Sequence, residues 1–151
     1  MKFTCVFYGK ASGFAQAECE KYLQRMKNDV KIVELKESKL TQFQLKLDEE
    51  YKDFEKKIGF NHPIIVLAEE GRTLSSVQWA EWLGKESDRG IREIVLVIGS
   101  AYGIDARLKS QAKMMLSLSL MTLTHDHARV LLIEQIYRAR CIQEGHPYHH
   151  V

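Results

Sequence analysis

The sequence predicts an α/β layer fold: a mainly parallel sheet with flanking helices, in a single domain spanning residues 1–151. Three observations carry this. Strand-like and helix-like segments alternate from one end of the chain to the other. Two of the strand segments, 64–68 and 94–98, are continuously apolar, as strands covered on both faces are. A chain of 151 residues with 45% hydrophobic content has room for one core and little else. No repeat or flexible linker divides it.

The elements follow in order. A β-branched and aromatic run at 3–8 stops at Gly9 and reads as the first strand. After Ser12 and Gly13, residues 14–26 carry Phe14, Ala17, Tyr22 and Met26 among charges, a helical stripe. Residues 30–35 form a short strand. Over 40–58, Phe43, Leu47, Tyr51, Phe54 and Ile58 recur every three or four residues, marking one buried stripe on a long helix. Its lysines and carboxylates read as a solvated face in preference to a binding patch. Pro63 opens the apolar run 64–68, which ends at Glu69, Glu70 and Gly71. Thr73 or Ser75 caps a helix holding Val77, Trp79, Ala80 and Leu83, closed by Gly84. Residues 85–92 are polar and turn-like. The strand at 94–98 runs straight into Gly99, Ser100, Ala101, Tyr102 and Gly103. A short helix from about Asp105, a Met- and Leu-rich strand near 114–118, and a long helix from about Asp126 to Ile142 complete the pattern.

Composition narrows the function. Lysine and arginine total 22 against 20 acidic residues, a net charge of +2, whereas a small protein that coats nucleic acid is far more basic. An RNA partner must therefore be held by a local patch or a dimer surface. The 28% charged content and two prolines exclude a disordered or collagen-like chain. No apolar run is long enough to cross a bilayer, and the N-terminus lacks the hydrophobic region and cleavage site of a signal peptide. A cytoplasmic location is expected. Cys5, Cys19 and Cys141 are odd in number and widely spaced, which suits a reducing compartment and reads as packing.

In open parallel sheets, ligands bind beyond the carboxyl ends of strands. Three such ends have suitable composition: 67–71, 99–103 and 118–124. Taken alone, the 99–103 loop is equally a structural turn, since it misses the dinucleotide-binding glycine spacing and lacks a phosphate-binding lysine. The segment 116–124 reads Leu-Ser-Leu-Ser-Leu-Met-Thr-Leu-Thr. It is either core or the wall of an apolar pocket, where an adenine ring could lie between aliphatics and be read by the main chain. Five of the six histidines, His125, His127, His146, His149 and His150, crowd the last 27 residues. No acidic or cysteine partner has metal-ligand spacing, so no metal site is expected. The preferred reading is an ordered tail that closes over an active site and takes part in acid–base work. On the last helix, Val130, Ile133, Ile136 and Tyr137 are expected in the core and Arg129, Glu134, Arg138 and Arg140 on the polar side. Glu134 and Arg138 form either a surface ion pair or a device that aims Arg138 at RNA.

One series of residues goes further. Gly99 and Gly103, then Leu118 to His125, then Arg129 to Ala139, and finally His146-Pro147-Tyr148-His149 together closely resemble the ribosomal RNA large subunit methyltransferase H family, minimal members of the SPOUT class. The similarity runs the length of the chain and is densest from Ile94 to His149. The resemblance implies a C-terminal deep trefoil knot, a rare exception to unthreaded connections. It implies S-adenosylmethionine as cofactor, held by Leu67, Gly99, Leu118, Ser119, Leu120, Met121, Thr122 and Leu123. It implies a homodimer whose sites are each completed by the neighbouring subunit, and methylation at N3 of a pseudouridine in 23S rRNA of the assembled ribosome, with no DNA or membrane partner. One departure stands out: the family loop commonly reads Gly-Gly-Pro-Glu-Gly, and here Ala101 and Tyr102 replace its proline and acid.

On residue chemistry together with the resemblance of the tail, His149 is the expected base for the N3 proton, with Tyr148 and Arg138 positioning the nucleotide or stabilising its developing charge. The competing expectations are a ribosome-associated assembly factor that keeps the fold without catalysis, and a nucleotide-binding hydrolase using the 99–103 loop for phosphate.

Overall fold

Every predicted strand is present in the computed structural model, which describes residues 1–150. The strands β1 (Lys2–Tyr8), β2 (Val30–Leu35), β3 (Ile64–Thr73), β4 (Glu93–Ile98) and β5 (Met114–Ser117) form one sheet in the order β2-β1-β4-β3-β5. All four pairings are parallel. Parallel neighbours require crossovers. These contain α1 (Gly13–Met26), α2 (Phe43–Lys57), α3 (Ser76–Asp88) and α4 (Ala106–Gln111), and α5 (His125–Glu144) follows the last strand.

Successive side chains of a strand point to opposite faces, so each strand feeds two cores. Phe3, Cys5 and Phe7 of β1 with Ile94, Leu96 and Ile98 of β4 meet Cys19 of α1, Trp79 of α3 and Leu132, Ile133 and Ile136 of α5. Val6, Tyr8, Val95 and Val97 face the other way, onto Tyr51 and Phe54 of α2 and Leu108 of α4. Burying these strands on both faces explains their continuous apolar runs. The three cysteines are buried and free, and burial pushes the Cys5 and Cys19 thiols up, so both remain protonated packing groups.

Three sequence expectations are corrected. The buried stripe of α1 is Ala15, Cys19 and Met26, with Phe14 and Ala17 exposed. The Ser12 cap fixes the phase of the helix by accepting from the Ala15 amide, and Phe14 instead lies against the His127 ring. Gly84 does not close α3, which continues to Asp88 because buried Glu86 pairs with Arg89 at 2.6 Å and Lys113 at 2.5 Å. Finally, Glu69, Glu70 and Gly71 do not end β3. Both Leu67 and Arg72 are in register with Leu116 of β5, so residues 68–71 bulge out of the ladder and pairing then resumes. No helix among the described residues is long and apolar enough to cross a membrane.

Candidate active site

The bulge in β3 opens a wall. Leu67, Ala68, Glu69 and Glu70 line a cavity of about 310 Å³ that lies beside this bulge and beyond the carboxyl ends of β4 and β5. Gly99 to Ala101 and Gly103 form a second side, and the segment from Ser117 to Ala128 supplies the rest. Seven of the eight residues expected to hold the cofactor, Leu67, Gly99, Leu118, Ser119, Met121, Thr122 and Leu123, lie on this one surface. Leu120 does not. It projects into solvent at 84% exposure while Ser119 turns the chain back by accepting from the Met121 amide at 2.9 Å.

The glycine loop keeps a tight turn despite its altered sequence. The Gly103 N–H donates to the Ser100 carbonyl at 2.9 Å, with Gly103 at φ +90°. Gly99 is needed for close approach: a Cβ there would lie 2.3 Å from the Gly103 carbonyl oxygen and 2.4 Å from Ile104 Cγ1. The turn is also tied from behind. Ser100 Oγ donates to Oε2 of Glu50 at 2.9 Å, and Oε1 of the same carboxylate accepts from the Ser38 amide at 3.0 Å. Glu50 sits on α2 at 4% exposure, and its own carbonyl accepts from the Tyr8 hydroxyl.

The expected catalytic residues meet each other elsewhere. Glu134 Oε1 takes Arg138 Nε at 2.8 Å and the Tyr148 hydroxyl at 3.1 Å, while Arg138 Nη1 lies 3.3 Å from His149 Nδ1. The Arg138 guanidinium also covers the Tyr148 ring, whose edge packs on Tyr137. Burial, with the Tyr22 hydroxyl and Glu134 beside it, pushes the Tyr148 phenol up, so it donates and does not serve as a base. Thus Glu134 is more than a surface partner for Arg138: it organises the tail. None of the three residues lines the cavity. Arg138 stands ten residues past Ala128 on α5, roughly 15 Å along the axis at the ordinary helical rise.

A family model described as "Predicted SPOUT methyltransferase" matches residues 1–149. The chain belongs to the SPOUT methyltransferase family. Among curated relatives, the ribosomal RNA large subunit methyltransferase H of Geobacter sp. (strain M21) is 35% identical over 153 residues, covering 99% of each chain. The enzyme of the same name from Allorhizobium ampelinum is 38% identical over 119 residues, covering 79% of this chain and 74% of its own. Among solved structures, a probable methylase family protein from Haemophilus influenzae Rd KW20 superposes with a TM-score of 0.59 at 11% identity. That match covers 95% of this chain and 66% of the other, and shows a shared fold.

SPOUT methyltransferases use S-adenosylmethionine, and the cavity fits such a donor. Its volume lies in the small-molecule range, and Leu67, Ile98, Leu118 and Leu123 give apolar walls for an adenosyl group. Both ring nitrogens of His125, on the same wall, are buried with no hydrogen-bond partner, which leaves polar atoms for a ligand to satisfy. Sequence reasoning placed Glu69 and Glu70 at a candidate ligand-binding end without giving them a role, and assigned neither His125 nor Lys109, whose Nζ pairs with Glu70 at 2.5 Å, to this wall. The β3 bulge that recruits the two acids is a tertiary event. Arg129, expected on the polar side of α5, is 2% exposed and clamps Glu34 at 2.9 Å with the Tyr8 and Gly9 carbonyls, tying α5 to the end of β1.

Proposed function

We propose that this methyltransferase acts on N3 of a pseudouridine in 23S ribosomal RNA of the large subunit, within the ribosome and hence in the cytoplasm. The observation that carries the reading is one cavity between the β3 bulge and the ends of β4 and β5, lined by seven residues on which the resemblance places the methyl donor. The name of the Geobacter relative, ribosomal RNA large subunit methyltransferase H, supports the RNA substrate. The non-catalytic alternative drew on the altered glycine loop, and that loop retains its turn and both outer glycines.

S-adenosylmethionine supplies a methyl group already activated on a sulfonium centre. The chain's own residues have two tasks: to hold the target base in line and to remove the imide proton from N3. Arginine only donates, so its bond to His149 Nδ1 leaves the lone pair of the ring at Nδ1 and its proton at Nε2. Nδ1 is therefore the basic atom, and it becomes free when Arg138 swings toward the nucleotide. Glu134 keeps the guanidinium within reach, and the protonated Tyr148 phenol offers a donor for a carbonyl of the base or its developing anion. The cluster stands away from its own cavity, so a second copy of the chain must bring it to the donor. Homodimerisation is part of the proposal, as is the trefoil knot, which the convergence of the β3 bulge and the segments after β4 and β5 on one cavity supports.

The test uses purified large subunits and whole ribosomes from a strain lacking the protein, incubated with protein and isotopically labelled donor. Mass spectrometry should locate the label on one pseudouridine of 23S rRNA; label elsewhere, or none, overturns the reading. His149→Ala should reduce the rate by about 100-fold or more while calorimetry shows donor binding intact. Near-normal turnover removes His149 from the role.

A further inference from the structure

The feature that the cavity and tail leave unexplained is an aromatic pair beside the cavity mouth. Tyr102 occupies a corner of the turn closed by Ser100 and Gly103, between two cavity-lining residues, Ala101 and Gly103, yet its own ring points outward at 53% exposure. Phe43, in the first turn of α2, is equally exposed, and the two ring centroids lie 6.3 Å apart at an interplanar angle of 62°. Lys46, one turn along α2, places its ammonium 4.0 Å from the Tyr102 centroid.

The charges around this pair separate it from the rest of α2. Further along the helix the expected solvated face is present: Asp48 pairs with Lys52 and Arg107, and Asp53 with Lys57. Lys46 takes part in none of these ion pairs and is spent on the ring. Lys36 and Lys39 share a neighbouring pocket with Glu37, Glu49, Glu50 and Asp53, whereas Lys46 faces the aromatic pair. Exposed rings beside a lysine outside those ion pairs fit a nucleic acid strand, in which bases stack and phosphates attract cations. The mounting is rigid, because the turn bearing Tyr102 is fixed through Ser100 Oγ to the buried Glu50 carboxylate. A preorganised ring orders little further when a base settles on it.

We infer that Tyr102, Phe43 and Lys46 form a stacking platform for an unpaired base of the RNA substrate, beside the mouth of the donor cavity. The inference rests on the RNA-methyltransferase reading. Platform and tail cluster lie on opposite faces of the sheet, since Tyr102 rests on α2 while Arg138 and Tyr148 rest on α5 and α1. The tail that serves this cavity comes from the second copy in the proposed dimer, so the platform adds a grip independent of this chain's own tail. Single-stranded RNA is read mainly through splayed bases, and extracting one target base leaves neighbours unstacked.

The experiment measures binding of the full-length protein to purified large ribosomal subunits, with Tyr102→Ala and Tyr102→Trp beside the wild type. Donor affinity and sedimentation are recorded for each. The expected result is a drop in subunit affinity of about tenfold or more for Tyr102→Ala, near-complete retention in Tyr102→Trp, and unchanged donor affinity. Equal subunit binding by Tyr102→Ala overturns the platform, as does a failure of the wild type to bind subunits at all. A fall in sedimentation mass accompanying the loss assigns this face to a second copy and also overturns it. If the wild type binds subunits but transfers no methyl group, the proposed reaction fails, and the same affinity comparison still decides the platform.

Discussion

At Gly99 a single methyl group is enough to probe the cavity. Its Cβ would meet backbone at 2.3 Å, an approach that only displacement of the Gly103 turn relieves. Gly99→Ala should therefore weaken donor binding by at least about tenfold by calorimetry while leaving the sheet folded, because one side of the site is this turn. Donor affinity equal to wild type would show that the turn moves without consequence. Gly99 was legible in the sequence as a glycine at the carboxyl end of a buried strand. Glu50 was not. It sits in a charged stretch between Glu49 and Tyr51, and nothing local distinguishes the carboxylate that supports the loop from neighbours that face water. Arg129 was hidden for the converse reason: an arginine on a helix reads as polar surface, and its buried partners lie more than a hundred residues away on β1.

Among elements, strand and helix order followed from hydrophobic periodicity, but the ends did not. The Gly84 stop on α3 was overridden by a buried carboxylate one half-turn later. Lys113 and Arg89 hold Glu86 below the usual carboxylate range. A group whose folded value is depressed stabilises the fold at pH above its unfolded value and loses that contribution as pH falls through the folded one. Glu86→Gln should accordingly lower the denaturant midpoint at neutral pH. The gap from wild type should narrow as pH drops through roughly 4 and below, where the unfolded carboxyl takes up its proton first. A gap constant from neutral to acid would mean that the ion pairs add nothing beyond packing. The β3 bulge is the other boundary that escaped. Its Glu-Glu-Gly resembles a strand terminus, and only the return of Arg72 and Thr73 to β5 turns it into a cavity wall.

For the whole molecule, the decisive question is which subunit's tail serves which cavity. At limiting donor, Gly99→Ala weakens a cavity and His149→Ala removes a tail base, so both homodimers should methylate far more slowly than wild type. If the tail crosses to the neighbour, mixing the two variants under exchange conditions creates dimers with one intact site. Activity should then recover to about a quarter of wild type, from half the dimers carrying one site of two. No recovery, with exchange confirmed by sedimentation of tagged subunits, would show that each tail serves its own cavity. The weak net charge of +2 belongs to this scale too: a large folded RNA can be held by shape and a few local contacts, without a broadly basic surface.

By itself the sequence determined the α/β class, the strand order along the chain, the packing role of the cysteines and the composition of the three strand ends. These depend on periodicity and on residues close in sequence, where each position's neighbours are known in advance. The tertiary structure decided that the β3 bulge and the ends of β4 and β5 face one cavity, that Arg138, Tyr148 and His149 gather on Glu134 away from it, and that Glu50 and Arg129 are internal. Those facts depend on partners far apart in the chain. A polar side chain acquires its role only when folding chooses between water and a distant hydrogen-bonding group.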